Sequence, residues 1–552
     1  MFIRVKTTPN SPRKAVQIVE SVRAGAKVKQ TILRHVGIAE DAAQLVKILE
    51  IAEFVKAQLE AEHQPGLLTA DDVVTDIMAS KKSPEKCPSG ELIVDLKQLR
   101  EVARTVVGIH EVYGEVYQQL GFAALWGRSA QHAHARALLK HITMARIAQP
   151  ESKRASVAAF TRDFGVRLPL NSVYRMLDKI DDASIKKLQD CAYHAAKTIF
   201  GNALDVLFYD CTTLYFESFI SDELRQKGFS KDRKINETQV LLALLVTREG
   251  LPIGYEVFPG ATFEGHTLAP VIKALKERYD IARVVFVADR GLFNAANVAV
   301  VEQAGIEYVI GAKLKTLAQP LKEKILDLEN YSVLGDDLMV LALPQDKGRR
   351  LIVSHSPKRA KKDHAEREKA IAVLTKKLKK SATAKHFVPP SGYKKYLTVG
   401  PSEVTINEDA IIENARWDGL HGVITNCTQE SVSDILAHYR GLWRIEESFR
   451  IQKHDLKVRP IYHFKESRIR AHLAIAFMSF CCVRHLEYRV AMQYKRLSPE
   501  AIRRELVHFQ VSILEHKKNK SRYAMPSSLS PHAEKIYQVM GIKPTTTAYQ
   551  IQ

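Results

Sequence analysis

Two short apolar runs decide the fold of this chain: residues 204–210, Leu-Asp-Val-Leu-Phe-Tyr-Asp, and residues 283–289, Arg-Val-Val-Phe-Val-Ala-Asp. Runs this short, apolar and rich in β-branched residues are typical of buried strands. Each run ends in an aspartate, Asp210 or Asp289, followed by residues that favour a turn. An acid at the tip of a strand is well placed to bind a metal ion, but it also commonly caps a turn. For each aspartate alone, both interpretations stay open.

The residues around these runs predict a mixed α/β domain. The pattern predicts strands at 215–216, 239–247, 251–258 and 306–310, and helices at 266–278 and 294–303. The predicted order is therefore β-β-β-α-β-α-β, followed by a long excursion. Asp289 follows Asp210 by 79 residues, and the next acid of interest, Glu446, follows Asp289 by 157 residues.

The third acid lies in residues 439–453, which read Tyr-Arg-Gly-Leu-Trp-Arg-Ile-Glu-Glu-Ser-Phe-Arg-Ile-Gln-Lys. Read as one helix, the stretch places on one face, at steps of four, three, four and three, Tyr439, Trp443, Glu446, Arg450 and Lys453. Leu442, Ile445 and Phe449 line a core-facing side. The stripe suits a phosphate-gripping surface beside a metal-bound carboxylate, although a solvated amphipathic helix explains it as well. Glu447 lies about 100° further round the helix, so we predict Glu446 as the ligand.

The three acids in this order resemble the catalytic set of DDE transposases. The final stretch resembles the YREK-type signature of the cut-and-paste insertion-sequence group numbered four: a tyrosine, an arginine three residues on, the glutamate four further and a lysine seven later. Tyr439, Glu446 and Lys453 fit these spacings, but Leu442 stands where the family has arginine, a charge that Arg440 or Arg444 could supply. The resemblance covers roughly residues 200–490. Residues 1–6 and 459–463 also look like the long-chain branch of this group.

The resemblance implies a ribonuclease-H-like α/β core interrupted by a mostly β insertion domain, with a mixed α+β, largely helical N-terminal DNA-binding region. It implies a transposase that binds element ends and catalyses DNA cleavage and strand transfer with two Mg²⁺ (or Mn²⁺) ions held by Asp210, Asp289 and Glu446. Carboxylates are the ligands that Mg²⁺ prefers. The implied partners are double-stranded DNA, at element ends and target, and a second copy of the chain in a homodimer, in the bacterial cytoplasm at the nucleoid. The alternatives are a nuclease that cuts without joining and a non-catalytic, transposase-derived repressor.

Charge is concentrated in one part of the chain. The chain has 82 Lys and Arg against 62 Asp and Glu, a net charge of +20, and residues 347–395 hold sixteen basic residues against three acids. A helix is predicted over about 358–380, ending in Lys376, Lys377, Lys379 and Lys380. Because each neutralised phosphate releases counterions, we predict that these lysines bind the DNA backbone; a solvated cationic helix is the alternative.

Further residues are predicted to contact DNA. They are Tyr439, Arg440, Trp443, Arg444, Arg450 and Lys453 in the final stretch, Arg290 after the second run, and Arg175 and Lys179 in a helix-turn-helix candidate over 156–180. Ordinary helical packing is the alternative for that candidate, and core packing for Trp443. Trp417, 29 residues before Glu446, resembles the family's insertion-domain tryptophan that accepts a flipped base; a hydrophobic plug is the alternative.

The amino-terminal third predicts strands at 2–6, 15–23 and 27–36 and helices at 41–62 and 96–120. The predicted division is a meander plus helix at 1–62, a linker at 63–95, a helical end-binding region at 96–200, core parts at 201–320 and 431–490 around an insertion at 321–430, and a helical region at 491–552. No membrane span is predicted, because the most apolar stretch, 473–483, is too short. Six scattered cysteines suit reduced thiols in a cytosolic protein.

Overall fold

The computed structural model describes residues 2–7, 14–24, 27–39, 93–127, 129–166, 168–201, 206–228, 237–278, 284–289, 295–335, 337–379, 393–400 and 404–551, and single positions at 45, 48, 49, 52 and 56. The chain divides into two compact units. The first comprises Met1–Leu204, Asp210–Thr267 and Arg444–Gln552, and the second comprises Asp205–Tyr209 and Leu268–Trp443.

The strands, in chain order, are β1 (Phe2–Thr7), β2 (Lys14–Ala24), β3 (Lys27–Ala39), β4 (Leu99–Val106), β5 (Val206–Tyr215), β6 (Gln239–Thr247), β7 (Pro252–Pro259), β8 (Val285–Ala288), β9 (Glu307–Gly311), β10 (Ser332–Gly335), β11 (Leu338–Pro344), β12 (Arg350–His355), β13 (Leu397–Val399), β14 (Val404–Ile406), β15 (Leu420–Thr425), β16 (Gln510–His516), β17 (Arg522–Pro526) and β18 (Tyr549–Ile551).

The α-helices of the described residues are α1 (Gly114–Gln119), α2 (Ala133–Ala148), α3 (Lys153–Asp163), α4 (Leu170–Leu177), α5 (Asp182–Phe200), α6 (Leu268–Arg278), α7 (Ala295–Gln303), α8 (Gln319–Leu326), α9 (Pro357–Leu378), α10 (Glu408–Ala415), α11 (Val432–Arg440), α12 (Trp443–Arg450), α13 (Glu466–Gln493), α14 (Pro499–His508) and α15 (Pro531–Met540). Two π-helical turns, Ile109–Tyr113 and Ile451–Asp455, lie next to helices.

The strands of the second unit lie in the order β10-β11-β12-β15-β9-β8-β5 within a mixed sheet. The three strands β5, β8 and β9 are parallel neighbours. Val206 of β5 lies opposite Val285 of β8, and Ala288 of β8 lies opposite Ile310 of β9. All four residues of β8 are buried, as expected for a strand that is covered on both faces. The strands predicted at 239–247, 251–258, 283–289 and 306–310 and the helices predicted at 266–278 and 294–303 are confirmed, with boundaries that differ by at most two residues. The separate strand predicted at 215–216 is wrong, because β5 continues from Val206 to Tyr215.

The segment 321–430 is not mostly β. Its strands β12 and β15 pair with each other, and β15 pairs antiparallel with β9, so they extend the same sheet. The longest element of the segment is the 22-residue helix α9, which the lysine-rich pattern predicted. Within its described residues the segment is therefore mixed α/β. The apolar face of α9 packs into its own small core around Leu374.

The first unit is organised around the long helix α13. Most of this helix is buried, and it contacts α2, α5 and β7. Among the described residues, α13 is the one helix long and apolar enough to cross a membrane, but 94% of its most apolar window is buried inside the protein, as in a core helix. The apolar stretch at 473–483 is therefore the middle of this helix.

Two predictions for the first unit are wrong. Residues 99–106, predicted as helix, form β4, and the region 491–552, predicted as helical, contributes β16, β17 and β18 to a sheet ordered β18-β17-β16-β4. The register of β4 runs from Val106 opposite Gln510 to Leu99 opposite His516. A strand whose partner is some 400 residues away gives no local periodic signal that distinguishes it from a short helix.

The predicted amino-terminal meander is confirmed: β1, β2 and β3 form a three-stranded antiparallel sheet. The predicted helix at 41–62 and linker at 63–95 lie almost wholly outside the described residues. The helix-turn-helix candidate corresponds to α3 and α4, which are separated by a turn in which Gly165 has φ +66°.

Candidate functional site

Asp210 lies inside a strand. The prediction of a strand tip and a turn there is wrong, because β5 continues for five residues to Tyr215. Cys211 and Leu214 are fully buried, and the β-branched Thr212 and Thr213 favour the extended backbone. Asp210 itself is only partly buried, and its carboxylate accepts a hydrogen bond from the backbone N–H of Cys211 at 2.7 Å. The carboxylate is thus oriented locally while it keeps access to a ligand.

Asp289 directly follows β8, as predicted, and it is exposed. The last registered pair of β5 and β8 is Tyr209 with Ala288, and Asp210 and Asp289 follow these two residues in the chain. In the second unit, the Tyr439 hydroxyl donates to the Asp289 carboxylate at 3.4 Å. The Tyr439 ring packs against His421 with 4.9 Å between centroids. Arg290 lies outside the described residues.

Residues 439–453 do not form one helix. Helix α11 ends at Arg440, α12 begins at Trp443, and a π-helical turn, Ile451–Asp455, follows α12. The interruption is at Gly441, a weak helix former, where an added Cβ would lie 2.5 Å from the Phe208 ring of β5. The predicted stripe is therefore divided: Tyr439 belongs to the second unit and Glu446 to the first.

Glu446 and Glu447 have different environments on α12. Glu446 is exposed, whereas the Glu447 side chain is 14% exposed and lies 3.3 Å from Arg484, 3.5 Å from Arg450 and 4.0 Å from Arg496. The buried face of the helix is formed by Ile445 and Phe449, as predicted. Glu446 is thus the carboxylate of this pair that a metal ion can reach, and Glu447 is held by arginines.

The remaining predicted contact residues near α12 differ in exposure. The Trp443 side chain is exposed, and so are Arg440 and Arg450. Arg444 is half-buried, and burial lowers the pKa of its guanidinium, with Glu249 nearby opposing this effect. Lys453 is partly buried in the π-helical turn. Arg440 is therefore the more accessible of the two arginines that flank Leu442.

A cavity of about 870 Å³ opens in the second unit beside Asp289 and Tyr439 and extends to Trp417. Trp417 is 7% exposed and belongs to a core cluster with Leu314 and Leu351, as the plug interpretation predicted. It also lines the cavity, its indole N–H donates to Glu413 at 3.2 Å, and the Lys315 ammonium lies 5.7 Å from its ring centroid. One face of a buried aromatic side chain thus borders a space of ligand size.

The wall of the cavity next to Trp417 is held by a buried ion pair. Arg367 of α9 donates to both carboxylate oxygens of Asp418 at 2.6 Å. The N–H of Gly419 donates to Asp363, and Gly419 has φ +79°, with an added Cβ 2.9 Å from His355. These residues were not identified from the sequence, because nothing in the local pattern indicates that α9 and 417–419 are neighbours.

Three lysines line the cavity as well. Partial burial and the nearby Lys395 lower the pKa of the Lys315 ammonium. Among the described residues, Lys313, Lys315 and Lys395 have no ion pair within 4 Å, whereas Asp363 lies 3.7 Å from Arg359. The cavity is therefore lined by these three lysines and, at Asp289, by an exposed carboxylate.

Over the described residues, no group of three or more His, Cys, Asp or Glu side chains is arranged to hold a metal ion. Asp210 and Asp289 are carboxylates that come directly after Tyr209 and Ala288, the last registered pair of β5 and β8. Mg²⁺ is commonly held by one or two carboxylates, with water and substrate phosphates as its other ligands, so this donor set fits a magnesium ion.

The predicted basic surfaces are exposed. Lys376, Lys377 and Lys379 are exposed at the end of α9, where Leu374 is fully buried, and Lys380 lies outside the described residues. Arg175 of α4 is exposed too, and so is Lys179, which follows this helix.

Comparison with known proteins adds the family. No curated protein matches the chain. Ten chains of solved structures are similar to it. One is described as the cryo-EM structure of a piggyBac transposase synaptic complex with hairpin DNA; it is 9% identical, with 72% of this chain and 78% of that chain covered and a TM-score of 0.36. The sequence model of the family described as "Transposase DDE domain" matches residues 203–482, just over half of the chain, and includes both aspartates and Glu446. The chain therefore belongs to the transposase DDE domain family.

Proposed function

We propose that this protein is a DNA transposase of the cut-and-paste insertion-sequence group numbered four, which cleaves the ends of its element and joins them to target DNA. The observation that carries the proposal is the register of β5 and β8, because Asp210 and Asp289 follow the same residue pair of two parallel strands. Family membership supports the reaction class, and Glu446 is the exposed acid of the later helix α12.

In this proposal Asp210, Asp289 and Glu446 hold two divalent cations, Mg²⁺ or Mn²⁺. When bound, such a pair activates the attacking oxygen and neutralises charge on the attacked and leaving oxygens of a phosphodiester. The Cys211 N–H orients the Asp210 carboxylate, and the Tyr439 hydroxyl orients that of Asp289. Carboxylates gathered at one site repel one another, and bound divalent cations would offset this repulsion.

The cavity beside Asp289 is proposed to take part of a DNA strand. Trp417 offers one aromatic face, and Lys313, Lys315 and Lys395 offer cations for phosphates. Stacking on an aromatic side chain contributes about 1–3 kcal/mol per base. Lys376, Lys377 and Lys379 on α9 and Arg175 and Lys179 near α4 are proposed to contact the duplex outside this cavity, with Tyr439, Arg440, Trp443, Arg450 and Lys453 nearer to the cleaved bond.

The first prediction tests the acids. Asp210→Ala, Asp289→Ala and Glu446→Ala should each lower cleavage of the element's own ends by at least about 10³-fold and leave end binding within a few-fold, because the ligands act on the chemical step. Cleavage on gels and binding by fluorescence anisotropy, in Mg²⁺ and in Mn²⁺, measure the two effects. Glu408→Ala, an exposed acid of α10, is the matched control.

The same assay separates the alternatives. A purified protein that cuts its ends and never joins them to target DNA is a nuclease. Specific binding with no cleavage in either metal identifies a repressor. Loss of binding in the alanine variants shows instead that the acids are needed for folding.

A further inference from the structure

Arg484, in the middle of the core helix α13, makes four polar contacts that join three elements of the first unit. Its Nη1 donates to Glu447 of α12 at 3.3 Å and to Glu487 of its own helix at 2.6 Å. Its Nε donates to the carbonyl of Gly250 at 3.1 Å, and its Nη2 donates to the carbonyl of Glu249 at 3.4 Å. One guanidinium thus connects α13, α12 and the turn between β6 and β7.

The contacts are buried. The side chains of Arg484 and Glu487 are 7% and 9% exposed, and that of Glu447 is 14% exposed. Removal of one partner of a buried, charged hydrogen bond costs free energy, since the remaining partner keeps its desolvation penalty. The orientation of Glu447 relative to α13 is therefore strongly determined, in contrast to an ion pair on the surface.

The turn is shaped to receive the guanidinium. Gly250 has φ +85°, a backbone conformation that favours glycine. An added Cβ at Gly250 would lie 2.4 Å from Arg484 Nη2. The Thr247 hydroxyl accepts hydrogen bonds from the N–H groups of Glu249 and Leu251, which aligns the two carbonyls toward Arg484. The turn and the guanidinium are therefore complementary in shape as well as in polarity.

Helix α12 has only eight residues and carries Glu446 on its exposed side. Its inner face is anchored by the buried Ile445 and Phe449, and Glu447 adds a charged hydrogen bond to α13 that depends on direction. The bond from Arg484 to Glu447 acts on the residue next to Glu446 and fixes the rotation of the helix about its own axis. A rotation by one residue corresponds to about 100°, so even a partial rotation moves the Glu446 carboxylate by ångströms.

We propose that Arg484 is the positioning residue of Glu446: through Glu447 and the 249–250 turn it sets the rotation of α12 and thereby the affinity of the site for its divalent cation. This inference rests on the proposed function, because it assumes that Glu446 is a metal ligand. Replacement of a residue that orients a metal ligand typically changes metal affinity or activity by about 10–100-fold.

The test is an EPR titration of Mn²⁺ into the full-length protein bound to its end DNA, with cleavage measured as a function of Mn²⁺ in parallel. The polar contacts of Arg484 are disturbed in three separate variants: Arg484→Lys, Glu447→Gln and Gly250→Ala. Each should raise the Mn²⁺ dissociation constant and the half-saturating Mn²⁺ concentration by about tenfold. The cleavage rate at saturating Mn²⁺ should stay within a few-fold of the wild type, a split that general destabilisation does not produce.

The matched control is Arg468→Lys. Arg468 lies on the same helix, its side chain is 7% exposed, and it donates to both oxygens of Asp178 at 2.8 and 2.7 Å. The Arg468→Lys variant should be less stable than the wild type, and its Mn²⁺ affinity should be unchanged. Since Arg484→Lys risks unfolding, each variant is checked by its thermal midpoint, and Glu447→Gln, which keeps the side-chain volume, decides if Arg484→Lys does not fold.

The outcomes are distinct. Unchanged Mn²⁺ affinity in folded Glu447→Gln and Gly250→Ala overturns the positioning role and leaves the proposed function intact. A tenfold decrease in Mn²⁺ affinity that Arg468→Lys shares also overturns it, because the effect then follows stability. Absence of Mn²⁺ binding and metal-dependent cleavage in the wild type overturns the proposed function, and this inference with it.

Discussion

Neighbouring residues in this protein have opposite chemical roles because their surroundings differ. Glu446 is exposed and available to a cation, whereas Glu447, one residue later, is surrounded by Arg484, Arg450 and Arg496. The same contrast applies to Arg484 and His485 on α13. Arg484 has four polar contacts, but neither ring nitrogen of the fully buried His485 has a hydrogen-bond partner among the described residues.

The buried histidine predicts acid sensitivity. Burial, with Arg489 and Arg484 nearby, lowers the pKa of His485 from 6.5 to about 3. A histidine with a folded pKa below its unfolded value loses stability as the pH falls through the unfolded value, because the unfolded chain then binds the proton. Between pH 7.5 and pH 5 this costs about 2 kcal/mol.

His485→Leu should remove that cost together with two unpaired ring nitrogens. In denaturant titrations at pH 7.5 and pH 5, the free energy of unfolding of the variant should fall by about 2 kcal/mol less than that of the wild type. His508→Leu, at an exposed histidine that ends α14, serves as the control. Equal decreases in wild type and His485→Leu would show that the ring is already protonated or solvated in the folded state.

At the scale of elements, α9 has two faces with separate tasks. Leu374 and Ala370 pack into a small core with Tyr396 and Val404, while the lysines at its end face solvent. The apolar face accounts for the helix, so the exposed lysines are dispensable for folding. Surface charge of one sign supplies sequence-independent affinity for a polyanion.

Changing Lys376, Lys377 and Lys379 together to Gln should weaken binding to all duplexes alike and leave the preference for the element's own ends unchanged. The slope of log K against log salt should fall by about 0.9 for each DNA phosphate that the variant no longer neutralises. Anisotropy titrations from about 50 to 200 mM salt measure the slope. The control is the same change at Lys517, Lys518 and Lys520 in the β16–β17 turn, which alters net charge equally. If the variant kept the salt slope of the wild type but lost its preference for the element's own ends, the roles assigned to α9 and to the α3–α4 region would be reversed.

At the scale of the whole molecule, the first unit is closed by pairing between distant parts of the chain. Strand β4 pairs with β16, and Arg100 forms an ion pair with Glu515 at 2.7 Å, 415 residues away. The core helix α13 likewise packs against α2, far before it in the chain, and against α14 and α15 after it. Long-range pairing of this kind makes the unit cooperative, because no one segment buries its apolar surface alone.

Removal of residues 509–552 should therefore destabilise the first unit strongly, since β4 would be without its partner strand and α13 without the helix α15 that packs against it. Removal of 549–552 takes only the edge strand β18 and should have little effect. Hydrogen exchange of residues 99–106 and thermal unfolding distinguish the two truncations. Protection of β4 that persists in the longer truncation would contradict the interdependence.

Local patterns were sufficient for the strands and helices of 239–310 and for the meander of β1–β3. In these places the signal lies in adjacent residues: β-branched apolar runs, turn residues and the 100° step of a helix. The family resemblance drawn from the same residues agrees with the family match at its coarse level.

Tertiary structure decided the rest. It continued β5 past Asp210, interrupted the helix at Gly441 beside Phe208, and turned 99–106 into a strand opposite 510–516. It also placed Arg367 against Asp418 and Arg484 against Glu447. Each of these depends on a partner distant in sequence, and the free energy of a buried pair or a strand ladder belongs to both partners at once, so neither segment alone carries the information.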